Sequence, residues 1–298
     1  MSEQSLSTEH TKNWYDKSYK LLLIIPVILM ILSIIVISMT YRQTGDIIYK
    51  DVSITGGTTI TVFGQYDTQK IESSLRSQFP DMILSTISDI RTGEQQGFFI
   101  ETTASAPELK AAIEAELGQE LTSENSSIEF SSSALSSSFY KQLRLAVIIS
   151  FILMGIVVFL IFRTPVRSLS IIIAGLADII MTIAVLDLLQ IRLSNAGIVA
   201  LLMLIGYSVD VDILLTTRVV RNKEGTLNQR IFGAFKTGIT MTITAIIAVA
   251  VALIFTYSLS PVLSQMFTII LIGLGFDILN CWVTNASILK WYSQGGKI

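Results

Sequence analysis

One histidine and one cysteine in 298 residues remove several kinds of chemistry at the outset. With His10 alone, in a polar N-terminal stretch, neither a histidine-built metal site nor a Ser-His-Asp triad is expected. Cys281 cannot close an internal disulfide and, lying in an apolar run, reads as a small buried hydrophobe. Charge is scarce as well: 15% of residues are charged, where a soluble domain carries roughly 25%. The formal net charge is −2 and no basic stripe exists outside short loops, so nucleic acid is not an expected partner. A nucleotide motor is not expected either, because Thr55-Gly56-Gly57-Thr58 lacks the lysine and hydroxyl spacing of a P-loop. The chain is not expected to be an enzyme, and no metal or other cofactor is expected beyond a transported ion.

What is present is apolar. Hydrophobic residues make up 51% of the chain and its mean hydropathy is +0.63. Six runs are long enough for a bilayer core, which takes about 20 residues per crossing: 21–40, 143–162, 169–189, 197–217, 237–257 and 264–289. The first is too long for a secretory signal and lacks a small-residue cleavage site, so it is expected to remain as an anchor. Arg163 and Arg167, then Arg218, Arg221, Lys223, Arg230 and Lys236, then Lys290 and Lys297 all follow even-numbered runs. Lys12, Lys17 and Lys20 precede the first run, whereas the opposite short loops hold only Arg192. The positive-inside rule therefore puts both termini, residues 1–20 and 291–298, in the cytoplasm and residues 41–142 outside a plasma membrane crossed six times.

The outer segment has the pattern of a small α+β domain. Thr59 to Phe63 alternates like a strand, and Asp67 caps a helix with Ile71, Leu75 and Phe79 on one face, ended by Pro80. Residues 82–90 and 97–102 read as strands around a turn holding Gly93. Ser105-Ala106-Pro107-Glu108 is a capping box opening a helix that stops at Gly118, and Ser127 to Ser131 supplies a last strand. The order is βαββαβ, that of a ferredoxin-like unit. The serine-rich stretch Ser131 to Ser138 reads as a tether to the second span. The fold class is thus an α-helical polytopic membrane protein with a ferredoxin-like extracytoplasmic domain between helices 1 and 2.

Four aspartates interrupt the apolar runs. Asp178, Asp210 and Asp277 fall within about two turns of mid-membrane, with Asp212 slightly deeper toward the cytoplasm. An aspartate at a helix centre costs ~2.5–3.5 kcal/mol on insertion scales, so such residues face a bundle interior and mark function. No lysine or arginine lies at comparable depth, so these carboxyls must be protonated, wet or cation-bound, as an ion relay requires. Asp210 and Asp212 are about 200° apart around a helix and cannot share a face. Asp210 is the expected central carrier, because Gly206 one turn away allows close approach of a neighbouring helix.

Two motifs carry a resemblance to a known family. Ser53-Ile54-Thr55-Gly56-Gly57-Thr58 resembles the D-F-T-G-G-T signature of the SecF family, and Ile205-Gly206-Tyr207-Ser208-Val209 with Arg218 resembles its G-Y-S-V-N-D motif followed by D-R. Six spans with one outer domain match its layout over almost the whole chain. Ser53 stands at the usual aspartate, Val211 at the bacterial SecF aspartate and Thr217 at the aspartate before the arginine. Asp210 instead matches the aspartate of the V-D-A-N motif of SecD, and Val209-Asp210-Val211-Asp212-Ile213 looks like the archaeal branch.

The resemblance implies an auxiliary subunit of Sec protein export, of the resistance-nodulation-division superfamily. It would pair with SecD, associate with a SecY-type channel, and use the proton motive force, or a sodium gradient, to help draw preproteins outward. A small-molecule transporter of the same superfamily is a rival, but those chains usually carry two six-span halves. A purely structural assembly factor is another; its aspartates would only bind helices together. An intramembrane aspartyl protease fits less well, because Gly273-Leu274-Gly275-Phe276-Asp277 misses the G-x-G-D spacing by one residue.

Overall fold

The computed structural model describes residues 15–89, 92–221, 224–257 and 260–295, with the side chains of 133–135 also left aside. His10, Lys12, Lys223 and Lys297 lie outside the described residues.

The chain enters the bilayer through a helical stretch over 15–22 that continues as α1 (Ile24–Thr44), closed by Gly45 in the left-handed conformation. A short helix, α2 (Val52–Thr55), follows; Asp51 caps it by accepting the Ser53 N–H at 3.3 Å. Next come β1 (Gly57–Phe63), α3 (Thr68–Leu75), β2 (Ile83–Ser88), β3 (Gln95–Thr102), α4 (Ala106–Leu117) and β4 (Ser126–Ser131). The four strands form one antiparallel sheet in the order β2-β3-β1-β4. Period-2 alternation puts Ile60, Val62, Phe98 and Ile100 on one face, where Ile71 and Leu75 of α3 and Leu109 and Ile113 of α4 cover them. Gly57 has φ +150°, and a Cβ there would run into the Thr102 carbonyl, so the second glycine of the Thr-Gly-Gly-Thr motif lets β1 pass β3.

Two expectations need correction. The helix after Asp67 ends at Leu75, a turn before Pro80: the Phe79 N–H still bonds the Leu75 carbonyl at 2.9 Å, but Pro80 has no N–H to carry the pattern on to Arg76. Phe79 still packs on the core from the turn that follows. The serine-rich stretch is not a free tether: α5 (Ser133–Phe162) begins inside it and runs unbroken into the second span. Once the apolar part has nucleated a helix, extension costs little, and serine is only a mildly poor helix former.

The remaining spans are α6 (Pro165–Leu188), α7 (Asn195–Arg221), α8 (Leu227–Thr256) and a final one, Pro261–Ser293. That last span is built of α9 (Pro261–Leu279), a π-helical stretch Asn280–Asn285 and α10 (Ala286–Ser293). Among the described residues, six helices are thus long and apolar enough to cross a membrane. They are unequal: 61% of the most apolar stretch of α6 and 56% of that of α7 are buried, against 11% in α1, α5 and α8. The centre of the bundle is therefore α6 and α7, with α9 laid against both. At the α7–α9 contact a Cβ on Gly273 would overlap Leu204. Gly206, the expected contact glycine, has no atom within 4 Å of its Cβ position and lies on the exposed side of α7.

Domain and bundle are stitched together at the connection between α6 and α7. Leu193, between α6 and α7, donates its N–H to the Tyr49 carbonyl at 2.7 Å and accepts the Asp51 N–H at 3.1 Å. The Asn195 amide donates to the Ser53 carbonyl at 2.8 Å, and Arg192 donates to the Asp81 carbonyl at 3.4 Å. Around Arg192 sit Asp51 and Glu101, with Glu129 across β1 from Glu101. Burial, then the negative charge of Asp51, pushes the Glu101 carboxyl up to about 7, with Arg192 opposing and Glu129 reinforcing the rise.

Because folded Glu101 holds its proton to higher pH than the unfolded chain does, stability is expected to fall as pH rises from about 4.3 through about 7. Thermal unfolding of the detergent-solubilised chain checks this: Glu101→Gln should remove much of the loss seen between about pH 5 and pH 8. A second expectation concerns packing: Gly273→Ala should destabilise the bundle by ~1–3 kcal/mol. Combining it with Leu204→Ala, whose own cavity costs ~2–5 kcal/mol, should give a loss smaller than the sum of the two.

Candidate functional site: a buried carboxyl cluster

Helical spacing assembles the site. Asp178 and Thr182 share a face of α6, Ser208 and Asp212 a face of α7, and Asp277 and Cys281 the inner face of the last span, each pair at i, i+4. The Ser208 hydroxyl donates to Asp178 Oδ2 at 2.6 Å, and Asn280 Nδ2 donates to Asp178 Oδ1 at 2.8 Å. The Thr182 hydroxyl donates to the Asp178 main-chain carbonyl at 2.6 Å, and Thr284 donates to Asn280 Oδ1 at 3.2 Å. One turn further along α7, Asn285 Nδ2 donates to Asp212 Oδ1 at 2.7 Å, with Cys281 alongside. Asp277 completes the group: it lies next to Ser208, whose proton goes to Asp178, and neither of its oxygens has a hydrogen-bond partner.

All three carboxyls are at most 1% exposed, and they are close enough to feel one another's charge. None is ion-paired. The nearest buried cation along the last span, Lys290, is 13 residues or ~20 Å beyond Asp277. It is committed to Asp16 at 2.7 Å and lies over the Tyr15 ring, which fastens α10 to the entering helix. The three carboxyls are therefore equivalent in kind but not in setting: Asp178 accepts on both oxygens, Asp212 on one, Asp277 on neither. Such a set can take up and pass a proton or a small cation between helices.

The structure brings together Asp178, Asp212, Asp277 and Ser208 but leaves Asp210 out. Asp210, the expected central carrier, lies on the exposed face of α7, two residues and about 200° from Asp212, and it is Asp212 that takes the buried position. Tyr207 donates to the Met241 carbonyl at 2.9 Å and joins α7 to α8, while Arg218 reaches the Gly233 carbonyl at 3.5 Å at the far end of the same pair. Thr55 and Thr58 belong to the outer domain; the Thr58 hydroxyl donates to the Ala104 carbonyl at 2.8 Å. Ser53 accepts the Asn195 N–H, the first of α7, at 3.1 Å, so an oxygen acceptor is retained where the family motif has a carboxylate.

Asn280, Asn285, Thr182 and Asp187 were not among the expected residues. The first two had a readable signal: Asn280, Thr284 and Asn285 are polar groups within one turn and a half of an otherwise apolar span. Asp187, 5% exposed at the C-terminal end of α6, faces Thr40 of α1 and the Tyr49 amide; it lies within the apolar run 169–189 but away from its centre.

Comparison with known proteins agrees with this architecture. The family model described as "Protein export membrane protein SecD/SecF, C-terminal" matches residues 111–295. The chain is 38% identical over 287 residues to the protein-export membrane protein SecF of Methanocaldococcus jannaschii, covering 93% of this chain and 96% of that one. It is 33% identical over 290 residues to SecF of Pyrococcus furiosus, covering 95% and 94%. In fold it resembles the crystal structure of SecDF, a translocon-associated membrane protein from Thermus thermophilus, with a TM-score of 0.72 at 17% identity over 93% of this chain. This chain spans 38% of the length of that SecDF chain. The chain belongs to the SecF family of multi-pass membrane proteins of protein export.

Proposed function

We propose that this chain couples a transmembrane ion gradient to the outward movement of preproteins, as an auxiliary subunit acting with SecD and a SecY-type channel. The observation that carries the reading is the enclosed cluster of Asp178, Asp212 and Asp277, which three central helix segments share without a counter-ion. A change in proton or sodium occupancy there alters which of Ser208, Asn280 and Asn285 is held, and so alters contacts between α6, α7 and the last span. The plasma membrane is then crossed with both termini in the cytoplasm, and the outer domain, read as a ferredoxin-like module from its βαββαβ order, stands on the side where preproteins emerge.

SecD is the fitting partner for the exposed side of α7. Val199, Met203, Gly206 and Asp210 form a stripe at helical spacing there, with a carboxyl that is costly to leave against lipid. The complete hydrogen bonding of Asp178 also favours a second reading, in which the cluster is structural glue and no ion moves.

Export of a reporter preprotein, with and without ionophore, in vesicles carrying this chain and its SecD separates the two. Asp212→Asn is expected to assemble and to abolish the gradient-dependent part of export. Asp210→Asn is expected to spare that dependence and to reduce co-purification with SecD. Unchanged gradient dependence in Asp212→Asn would leave the glue reading standing.

A further inference from the structure

The last span changes helix type where it meets the carboxyls. In an α-helix, residues five apart point about 140° away from each other. In a π-turn, bonded i to i+5, the wider turn brings residues five apart much closer to one face. Asn280 and Asn285 are five apart and bracket the π-helical stretch, and the Ala286 N–H reaches back to the Cys281 carbonyl, five residues earlier. This one extra residue lets a single side of the span hold Asp178 through Asn280 and Asp212 through Asn285 at once.

We infer that Asn280 and Asn285 are positioning residues that work as a pair through this π-turn, which relaxes to α-helix when Asn285 lets go of Asp212. The inference deepens the relay reading above and rests on it for its use, though not for its geometry. Relaxation removes the extra residue from the turn, so everything beyond it rotates by about 100° and shifts by about 1.5 Å relative to α9. Asn280, on the α9 side, keeps Asp178; Asn285, on the α10 side, swings away from Asp212. The turn thus converts the state of one carboxyl into a rotation of α10, and α10 is tied to the entering helix by Lys290 and Asp16.

An amide suits this task. Its Nδ2 donates to an ionised carboxylate, whereas its Oδ1 can accept from a protonated acid after a flip. Asn285 Oδ1 is fully buried and without a hydrogen-bond partner among the described residues, so the amide retains an acceptor for that second arrangement. The turn also has a seat: Trp282 fills the space over Gly238 of α8, where a Cβ would overlap its ring, and lies edge-on to Phe235 at 5.1 Å.

The chain's single cysteine, Cys281, lies within the turn and is 1% exposed, which makes it a native reporter. We would measure its labelling rate by a small membrane-permeant thiol reagent, at one fixed pH, in the full chain reconstituted in proteoliposomes. Asn285→Leu is expected to raise the rate at least ~10-fold, the factor corresponding to a lost hydrogen bond to a charged group. Asn285→Gln, which keeps the amide, should restore most of the protection, and Asn280→Leu should leave Cys281 protected. Deleting Val283 removes the extra residue, and in that background Asn285→Leu should no longer raise the rate. Should the deletion not fold, Gly238→Ala serves instead: by unseating Trp282 it is expected to raise labelling with Asn285 intact.

Wild-type labelling in Asn285→Leu, or equal acceleration by Asn280→Leu, would overturn the pairing. Equal acceleration in the deletion background would reduce Asn285 to packing, and slow labelling of Gly238→Ala would remove the seat. If Asp212→Asn leaves gradient-dependent export intact while the labelling pattern holds, the relay reading fails and the turn survives.

Discussion

A carboxyl in an apolar bundle has to find polar partners inside the protein, and the bond between Asp178 and its two donors answers that demand at the centre of this molecule. Ser208 approaches from α7 and Asn280 from the last span, so one aspartate of α6 is shared by three segments. Helix packing then follows from that meeting point. The span segments must come close, which Gly273 permits against Leu204, and α6 and α7 must be covered by the other helices. Helices α1, α5 and α8 do the covering and leave most of their own surface outward.

The same demand explains why the last span is not a regular helix. A straight α-helix presents one amide to Asp178 but turns the second away from Asp212. The π-helical stretch satisfies both, at the cost of poorer backbone hydrogen bonding, and π-turns of this kind concentrate at functional positions. The cluster and the helix irregularity meet at the same few residues, Asp178, Asp212, Asn280 and Asn285.

Much of this was legible beforehand, for identifiable reasons. Apolar runs and basic loops are one-dimensional signals, and they located all six spans. Alternation and capping residues located the sheet, Asp67 and the Ser105 box included. Depth in the membrane is also one-dimensional, and it singled out Asp178, Asp210 and Asp277, with Asp212 slightly deeper. The azimuth of a residue is different, because it depends on which side of a helix the neighbours occupy. Asp210 and Gly206 were at the right depth on the wrong side. Asn280 and Asn285 interrupt their apolar span visibly, but a search for charged groups passes over amides, and a π-turn has no signature in apolar periodicity.

The stitching of Tyr49, Asp51 and Ser53 onto Leu193 and Asn195 gives the outer domain mechanical leverage. These bonds grip α7 at its first residue, and Asp212 lies 17 residues further along the same rigid rod, about 26 Å away. A tilt of about 5° at the gripped end displaces the carboxyl by about 2 Å. That displacement is enough to break the 2.7 Å bond from Asn285, so a swing of the domain too small to disturb its own fold is amplified into the making or breaking of a contact deep in the membrane.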